Sequence, residues 1–190
     1  MLAHRPPVAY NYSMNENPQP RLGEGVYIAP TAYVGGDVVL GDESTVMHQA
    51  VIRGDIAPIR IGRRVNVQDG AIVHTRFGVQ LDIGDDVGIG HRAVVHCRLV
   101  GERCLIGTGA IVLDDCEIGS RCIVAAGTVL PPGTKVSDGS VVMGVPGKRV
   151  RDVTSADIAV IDHVVRSYVE LGKMHAAGRY PNIARFMTNT

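Results

Sequence analysis

Aliphatic residues recur every six positions along most of the chain, a period that neither an α-helix nor a heptad coiled coil produces. Inserts of three and four residues, and the loss of one residue, interrupt the series, which then resumes. Its members are Ile28, Val34, Leu40, Val46, Ile52, Ile61, Val67, Val73, Ile83, Ile89, Val95, Val100, Ile106, Val112, Ile118, Val124, Leu130, Val136 and Val142. The repeat predicts short strands joined by tight corners, three strands to a coil, with the aliphatics inside a three-sided prism.

The spacing resembles the hexapeptide repeat of left-handed parallel β-helices, over residues 26–150. The fold class that the resemblance implies is mainly β. The resemblance also implies that the coil is left-handed. The sequence alone would favour a right-handed coil, because crossovers between parallel strands are right-handed as a strong general rule. Residues 1–25 do not belong to the repeat and are predicted to be an irregular lead-in.

A helical pattern replaces the repeat after residue 150. Residues 155–177 contain no proline and one glycine, and their apolar stripe consists of Ile158, Ile161, Val165 and Tyr168. Thr154, with Asp157 three residues later, is a helix-capping signal. We therefore predict a C-terminal α-helix within residues 151–178, packed on the outside of the prism, and a tail over 179–190.

Composition narrows the classes of partner. The chain has 190 residues, of which 45% are hydrophobic, and its 19 basic residues balance its 19 acidic ones. It has no basic stripe, so neither nucleic acid nor a membrane surface is expected as a partner. The first 25 residues hold no apolar core of a signal peptide. A cytoplasmic protein is expected.

Three of the four cysteines stand in the position that small residues occupy elsewhere in the repeat, four residues after an aliphatic. They are Cys104, Cys116 and Cys122. Cysteine is a small and readily buried side chain, so the pattern predicts core filling. A disulfide is not expected in the cytoplasm.

Three histidines fall at positions that fit one metal site shared between two chains. His74 and His96 directly follow the aliphatic on successive coils of one face, so we expect them to be neighbours about 4.8 Å apart. His91 stands two positions after the aliphatic of the preceding face, and a corner separates it from that pair. Three prisms around a threefold axis would bring His91 of one chain to the pair of the next. Three imidazoles with an open position suit catalytic Zn²⁺, and Fe²⁺ or Co²⁺ fit as well.

Three runs carry a more specific resemblance: VIRGD (51–55), NVQDGAIVH (66–74) and GHRAVVH (90–96). Together they resemble the γ-class carbonic anhydrases and their bacterial relatives. The resemblance implies a homotrimer with intersubunit metal sites and a lyase activity, carbonate dehydratase. In this reaction a metal-bound hydroxide hydrates CO2 reversibly to bicarbonate.

The resemblance also implies roles for individual residues. Gln68 would orient the metal-bound hydroxide, with Asn66 as its support. Arg53, Asp55 and Asp69 would form an ion-pair set at the subunit interface, near bicarbonate. The predicted helix carries Tyr168 where some bacterial relatives have a site tyrosine, although packing on the helix face explains that residue equally well.

The proton relay of the archetypal enzyme is missing. Ile56 stands where that enzyme has a glutamate, and the loop over residues 75–81 contains no acid. Export of the proton needs a group that titrates near neutrality, so weak activity is expected. His48 lies two coils from His91, roughly 10 Å away, and is predicted to be a surface residue and not a relay.

Two other functions stay open. A trimeric scaffold could keep the metal for stability without catalysis. A hexapeptide acyltransferase using coenzyme A shares the terminal run GVPGKRVR (144–151), but it has no need of three stacked histidines and Gln68.

Overall fold

The computed structural model describes residues 18–182. Within them the chain forms a left-handed parallel β-helix of about seven turns and one C-terminal helix, which confirms the predicted fold class. Most of the predicted lead-in and most of the predicted tail lie outside the described residues.

Most strands are two residues long, because each side of the prism is short. In chain order they are β1 (Arg21–Leu22), β2 (Tyr27–Ile28), β3 (Tyr33–Leu40), β4 (Thr45–Val46), β5 (Val51–Ile61), β6 (Asn66–Val67), β7 (Ile72–Val73), β8 (Leu81–Ile83), β9 (Gly88–Ile89), β10 (Val94–Val95), β11 (Leu99–Val100), β12 (Leu105–Ile106), β13 (Ile111–Val112), β14 (Glu117–Ile118), β15 (Ile123–Val124), β16 (Val129–Leu130), β17 (Lys135–Val136), β18 (Ser140–Gly144) and β19 (Gly147–Asp152), followed by α1 (Ser155–Ala176).

The strands form two sheets that wrap around one core. One sheet has eight strands in the order β19-β18-β15-β12-β9-β6-β4-β2, and all its pairs are parallel except β18 with β19. The other has eleven strands and covers two sides of the prism, because β3 and β5 run from one side to the next. The three-residue insert therefore lengthens β5, whereas the four-residue insert lies in the loop between β7 and β8.

Most of the core consists of the aliphatic residues that recur every six positions. Ile52, Ile89, Ile106 and Ile118 are fully buried, as the six-residue period predicts. All four cysteines are free and buried, so Cys104, Cys116 and Cys122 do fill the positions of small residues.

The outward-pointing residues give the three sides of the prism different surfaces. The apolar face carries Tyr33, Val51, Ile72, Val94, Ile111 and Val129, aligned by strand register. The charged face carries Arg60, Asp82, Leu99, Glu117 and Lys135. The helix-covered face comprises β2, β4, β6 and β9, against which α1 packs.

Helix α1 begins where the sequence predicts. Thr154 accepts a hydrogen bond from the Asp157 backbone, and the Asp157 carboxylate accepts one from the Thr154 backbone. The buried residues of the helix are Ile161, Val165 and Gly172, which lie on the side that faces the prism. No described helix is long and apolar enough to cross a membrane.

Two pairings lie outside the hexapeptide pattern. Strand β1 pairs with β3, so regular structure starts inside the segment predicted to be irregular. Both β1 residues are exposed, and the strand therefore leaves no hydrophobic signal. Strands β18 and β19 form an antiparallel hairpin that crosses the predicted boundary at residue 150.

Candidate metal centre

His74 and His96 are neighbours on successive coils beside the apolar face. Strands β7 and β10 pair in register, Val73 beside Val95, and each histidine directly follows its strand. The two rings are tilted by 45°, with centroids 5.1 Å apart. Nδ1 of His74 lies 3.1 Å from Nε2 of His96. The structure thus brings together the pair that the repeat predicts.

In each histidine the outer ring nitrogen, which faces away from the other histidine, contacts a carboxylate. Asp55 Oδ1 lies 3.0 Å from His74 Nε2, and Asp114 Oδ1 lies 2.5 Å from His96 Nδ1. A carboxylate can only accept, so both outer nitrogens carry a proton. In neutral imidazoles the two inner nitrogens then both have lone pairs at this short separation, an arrangement that a proton or a metal ion between them would stabilise.

The spacing of the inner nitrogens suits a metal ion. Two imidazole nitrogens bound to one tetrahedral Zn²⁺, each at about 2.05 Å, stand about 3.3 Å apart. The 3.1 Å separation of this pair is close to that value. Histidine ligands that donate their other ring proton to a carboxylate are also the usual arrangement in metal proteins. The donor set therefore fits a metal ion.

Charge and burial favour the ligand form of His74. Burial lowers the pKa of His74, although the hydrogen bond with Asp55 opposes the change. Burial also disfavours ionised Asp55, but hydrogen bonds from Arg53 and His74 outweigh it and hold the pKa of Asp55 below its ordinary value. Both shifts favour a neutral imidazole beside an ionised carboxylate.

The third histidine lies apart from this pair. His91 Nδ1 is 3.1 Å from Asp69 Oδ2, and its Nε2 is 3.4 Å from the hydroxyl of Tyr168 on α1. The side chain of His91 is about half exposed, at 48%. Over residues 18–182, no three histidine, cysteine or acidic side chains of one chain converge in a way that could hold a metal. Within the described residues, one chain therefore brings two of the three histidines together and leaves His91 apart.

Gln68 and Asn66 form a buried amide pair on β6 and the residue after it. Gln68 Nε2 donates to Asn66 Oδ1 at 2.9 Å, and Asn66 Nδ2 reaches the carbonyl oxygen of Val87 at 3.5 Å. Both side chains are at most 6% exposed. The contact fits the supporting role predicted for Asn66.

The predicted ion-pair set is only partly assembled within one chain. Arg53 pairs with Asp55, as expected. Asp69 contacts His91 instead. Burial, together with the negative charge of Asp69, raises the pKa of Tyr168, so this hydroxyl stays protonated beside His91.

Two further residues bear on the site. Asp114 was not among the residues predicted, although the register that stacks Val112 on Val95 brings the turn after β13 next to His96. His48 hydrogen-bonds Thr31 at 2.9 Å and packs edge-on against His175.

The sequence of this chain is similar over most of its length to those of two carbonic anhydrases. A carbonic anhydrase of Geobacillus kaustophilus is 40% identical over 158 residues, which cover 83% of this chain and 87% of that protein. A probable carbonic anhydrase of Methanocaldococcus jannaschii is 39% identical, with 80% and 96% covered. This chain belongs to the γ-carbonic anhydrase family of hexapeptide-repeat proteins.

Other matches place this γ-carbonic anhydrase relative in a wider group. The family model described as dynactin subunit 5 matches residues 22–176, so the chain belongs to that family as well. A mitochondrial γ-carbonic anhydrase 2 of Arabidopsis thaliana is 35% identical, with 83% of this chain and 59% of that protein covered. Among solved structures, a putative acetyltransferase of Bacillus cereus is 35% identical with a TM-score of 0.80, covering 83% of this chain and 92% of that one.

Proposed function

We propose that this protein is a metal-dependent carbonic anhydrase whose site lies between the subunits of a homotrimer. The observation that carries the proposal is the histidine pair of one chain, whose inner ring nitrogens face each other at 3.1 Å while a carboxylate contacts each outer nitrogen. His74 and His96 of one subunit would hold the ion with His91 of the next. The family relationship to carbonic anhydrases supports the same chemistry.

The surface beside the pair supports a second copy of the chain as the partner. The apolar face is a column of aliphatic and aromatic side chains, of which Tyr33 is 55% and Ile72 is 42% exposed. A contiguous apolar surface of this kind is typical of an interaction site. Burying it against a neighbouring prism would enclose His74 and His96, and identical contacts repeated around a threefold axis form a closed ring.

A bound dication would lower the pKa of its water from 15.7 to roughly 7 and so provide a nucleophile for CO2 at neutral pH. The chain's own residues would hold the metal ion and orient the reacting groups. Asp55 keeps the proton on the outer nitrogen of His74. Gln68, fixed by its bond to Asn66, would present its amide to the reacting oxygen. Arg53 would bring a positive charge towards bicarbonate. The bound ion would be Zn²⁺, Fe²⁺ or Co²⁺. The protein itself would be cytoplasmic.

The direct test is stopped-flow CO2 hydration by protein purified without air, first metal-free and then loaded with Zn²⁺ or Fe²⁺. We expect turnover that depends on metal and that His91→Ala abolishes. A fully loaded trimer that hydrates no CO2 would refute the enzyme and leave a metal-binding scaffold.

A complementation experiment tests where the ligands come from. In trimers mixed from His91→Ala and His74→Ala chains, one interface combines the intact pair of the first chain with the intact His91 of the second. Activity should return there. A mixture of His74→Ala with His96→Ala chains is the matched control, because both changes damage the same half of the site and no interface is whole. Equal activity of the two mixtures would contradict an intersubunit site.

Acyl transfer with coenzyme A is the second candidate. The similarity to the solved structures of a putative acetyltransferase and of a hexapeptide transferase family protein, at 35% and 32% identity, favours it. Protection of the protein by acetyl-coenzyme A against thermal unfolding would support this function. Such a reaction needs one basic histidine and a groove for the cofactor, so it leaves the second histidine of the pair and its carboxylate without a role.

A further inference from the structure

Each of the three histidines has its own aspartate: Asp55 for His74, Asp69 for His91 and Asp114 for His96. We infer that Asp114 is a positioning residue, which orients His96 towards the metal from the next coil of the prism. The inference rests on the proposed function and deepens it. Asp114 lies outside the three runs that carry the resemblance, and the family relationship assigns this residue no role.

The backbone around Asp114 is well anchored. Its carbonyl oxygen accepts a hydrogen bond from the Gly133 amide at 2.8 Å, and the preceding Leu113 amide donates to the Leu130 carbonyl at 3.2 Å. Both bonds join the turn after β13 to the coil beyond it. The Asp114 carboxylate thus extends from a fixed turn towards His96, one coil back.

The neighbouring acid provides a built-in comparison. Asp115 has a positive φ of 57°, and its carboxylate lies away from the histidine, within 3.0 Å of the Arg76 guanidinium. Two adjacent aspartates therefore diverge, one to a histidine and one to an arginine. Substitution of Asp115 changes the local charge by the same amount without touching His96.

The contact with Asp114 selects one tautomer. A neutral imidazole carries one ring proton, and a carboxylate at Nδ1 holds the proton there. Nε2, the nitrogen that faces His74, is then left with its lone pair. The His96 ring is 28% exposed and packing alone does not enclose it, so the hydrogen bond also restrains its rotation. Without Asp114, part of the population would present the wrong nitrogen.

The first measurement is the affinity of metal-free protein for Zn²⁺, in competition with a chromogenic chelator at neutral pH. Loss of an outer-sphere partner of a ligand typically weakens metal binding 10- to 100-fold. We expect a loss in this range, about 10- to 100-fold, for Asp114→Ala. The Zn²⁺ affinity of Asp114→Asn should lie between those of Asp114→Ala and the unchanged protein, because the asparagine amide oxygen still accepts a hydrogen bond. Asp115→Asn, the matched control, should bind Zn²⁺ as the unchanged protein does.

A second readout does not depend on metal. Nitrogen-15 spectra of the metal-free protein report which ring nitrogen of His96 is protonated. We expect the unchanged protein to carry the proton on Nδ1. We expect Asp114→Ala to show a mixture of both tautomers. Because Asp114→Asn is nearly isosteric, it tests the inference even if the alanine variant does not fold.

The outcomes separate the two proposals. Unchanged Zn²⁺ affinity in both Asp114 variants, or an unchanged tautomer of His96 in Asp114→Ala, would overturn the inference alone. Unchanged protein that binds Zn²⁺ tightly but hydrates no CO2 would overturn the proposed function alone. Protein that binds no metal under any condition would overturn both.

Discussion

Gly172 of α1 lies directly against Thr45 of β4: a β-carbon at position 172 would be 2.5 Å from the Thr45 methyl and 3.3 Å from Tyr27 Cβ. This approach allows the last turns of the helix to lie close to the prism. In a free helix, alanine in place of glycine would stabilise by about 1 kcal/mol. Here the added methyl has no room.

We therefore expect Gly172→Ala to lower the free energy of unfolding by about 1–3 kcal/mol, the usual cost of overpacking. Urea unfolding would measure the loss. The matched partner is Thr45→Ser, which removes the methyl that clashes. The double variant Gly172→Ala, Thr45→Ser should recover much of the loss, and additive effects of the two substitutions would contradict direct contact.

The apolar face and the charged face permit a matched test of assembly. Ile72 on the first is 42% exposed, and Leu99 on the second is 39% exposed. Ile72→Glu should turn trimers into monomers, because it places a charge in the proposed interface. Leu99→Glu should leave the trimer intact. Sedimentation velocity would distinguish the two, and a monomeric unchanged protein would refute the homotrimer outright.

The missing proton relay predicts a dependence on buffer. With Ile56 in place of an acid, turnover at low buffer concentration should be limited by proton export, and added imidazole should raise kcat towards a plateau. Ile56→Glu should raise kcat several-fold at low buffer, since an acid–base group typically contributes about 100-fold or more when ideally placed. A kcat that does not change with buffer would contradict this limit.

The Asp37–Arg60 pair predicts how stability depends on acid. Arg60 donates to both carboxylate oxygens of Asp37 at 2.8 Å, and these bonds hold the pKa of Asp37 below its ordinary value of 3.8. A depressed carboxyl pKa contributes stability above the unfolded value, and the contribution is lost as pH falls through the folded value. Asp37→Asn should cost about 1 kcal/mol at neutral pH.

Urea unfolding of both proteins between neutral and strongly acid pH would check this dependence. The difference in the free energy of unfolding between the unchanged protein and Asp37→Asn should be constant above about pH 5. It should disappear in strong acid, where Asp37 is protonated in both the folded and the unfolded state. A difference that persists unchanged at the lowest pH would contradict the ion pair as its source.

The six-residue period was sufficient to predict the core, because burial of aliphatic side chains dominates the energy of each coil. It placed Ile52, Ile89 and Ile118 inside, and it placed His74 beside His96. Thr154 and Asp157 predicted the start of the helix because capping is a local interaction. The helix start depends only on neighbours in the sequence, and the other features depend on a six-residue period that resumes after each insert.

Other features do not follow from the six-residue period alone. The series already counts the residue lost after His96 and stacks Val112 on Val95, but it does not give the direction of the Asp114 side chain, which reaches back one coil to His96. Residues inserted after Arg53 extend β5 across a corner. The β18–β19 hairpin depends on antiparallel pairing, for which a parallel repeat carries no signal.

Helix α1 has a mechanical consequence for the whole stack. In a solenoid each repeat contacts only its neighbours, so the ends can fray one coil at a time. Here α1 begins just after β19 at the last coil and runs back to β2 and β4 near the first. The helix therefore closes a linear series of contacts into a loop, and a coil at either end cannot detach without releasing the helix as well. The two ends of the prism should open together, as one cooperative unit.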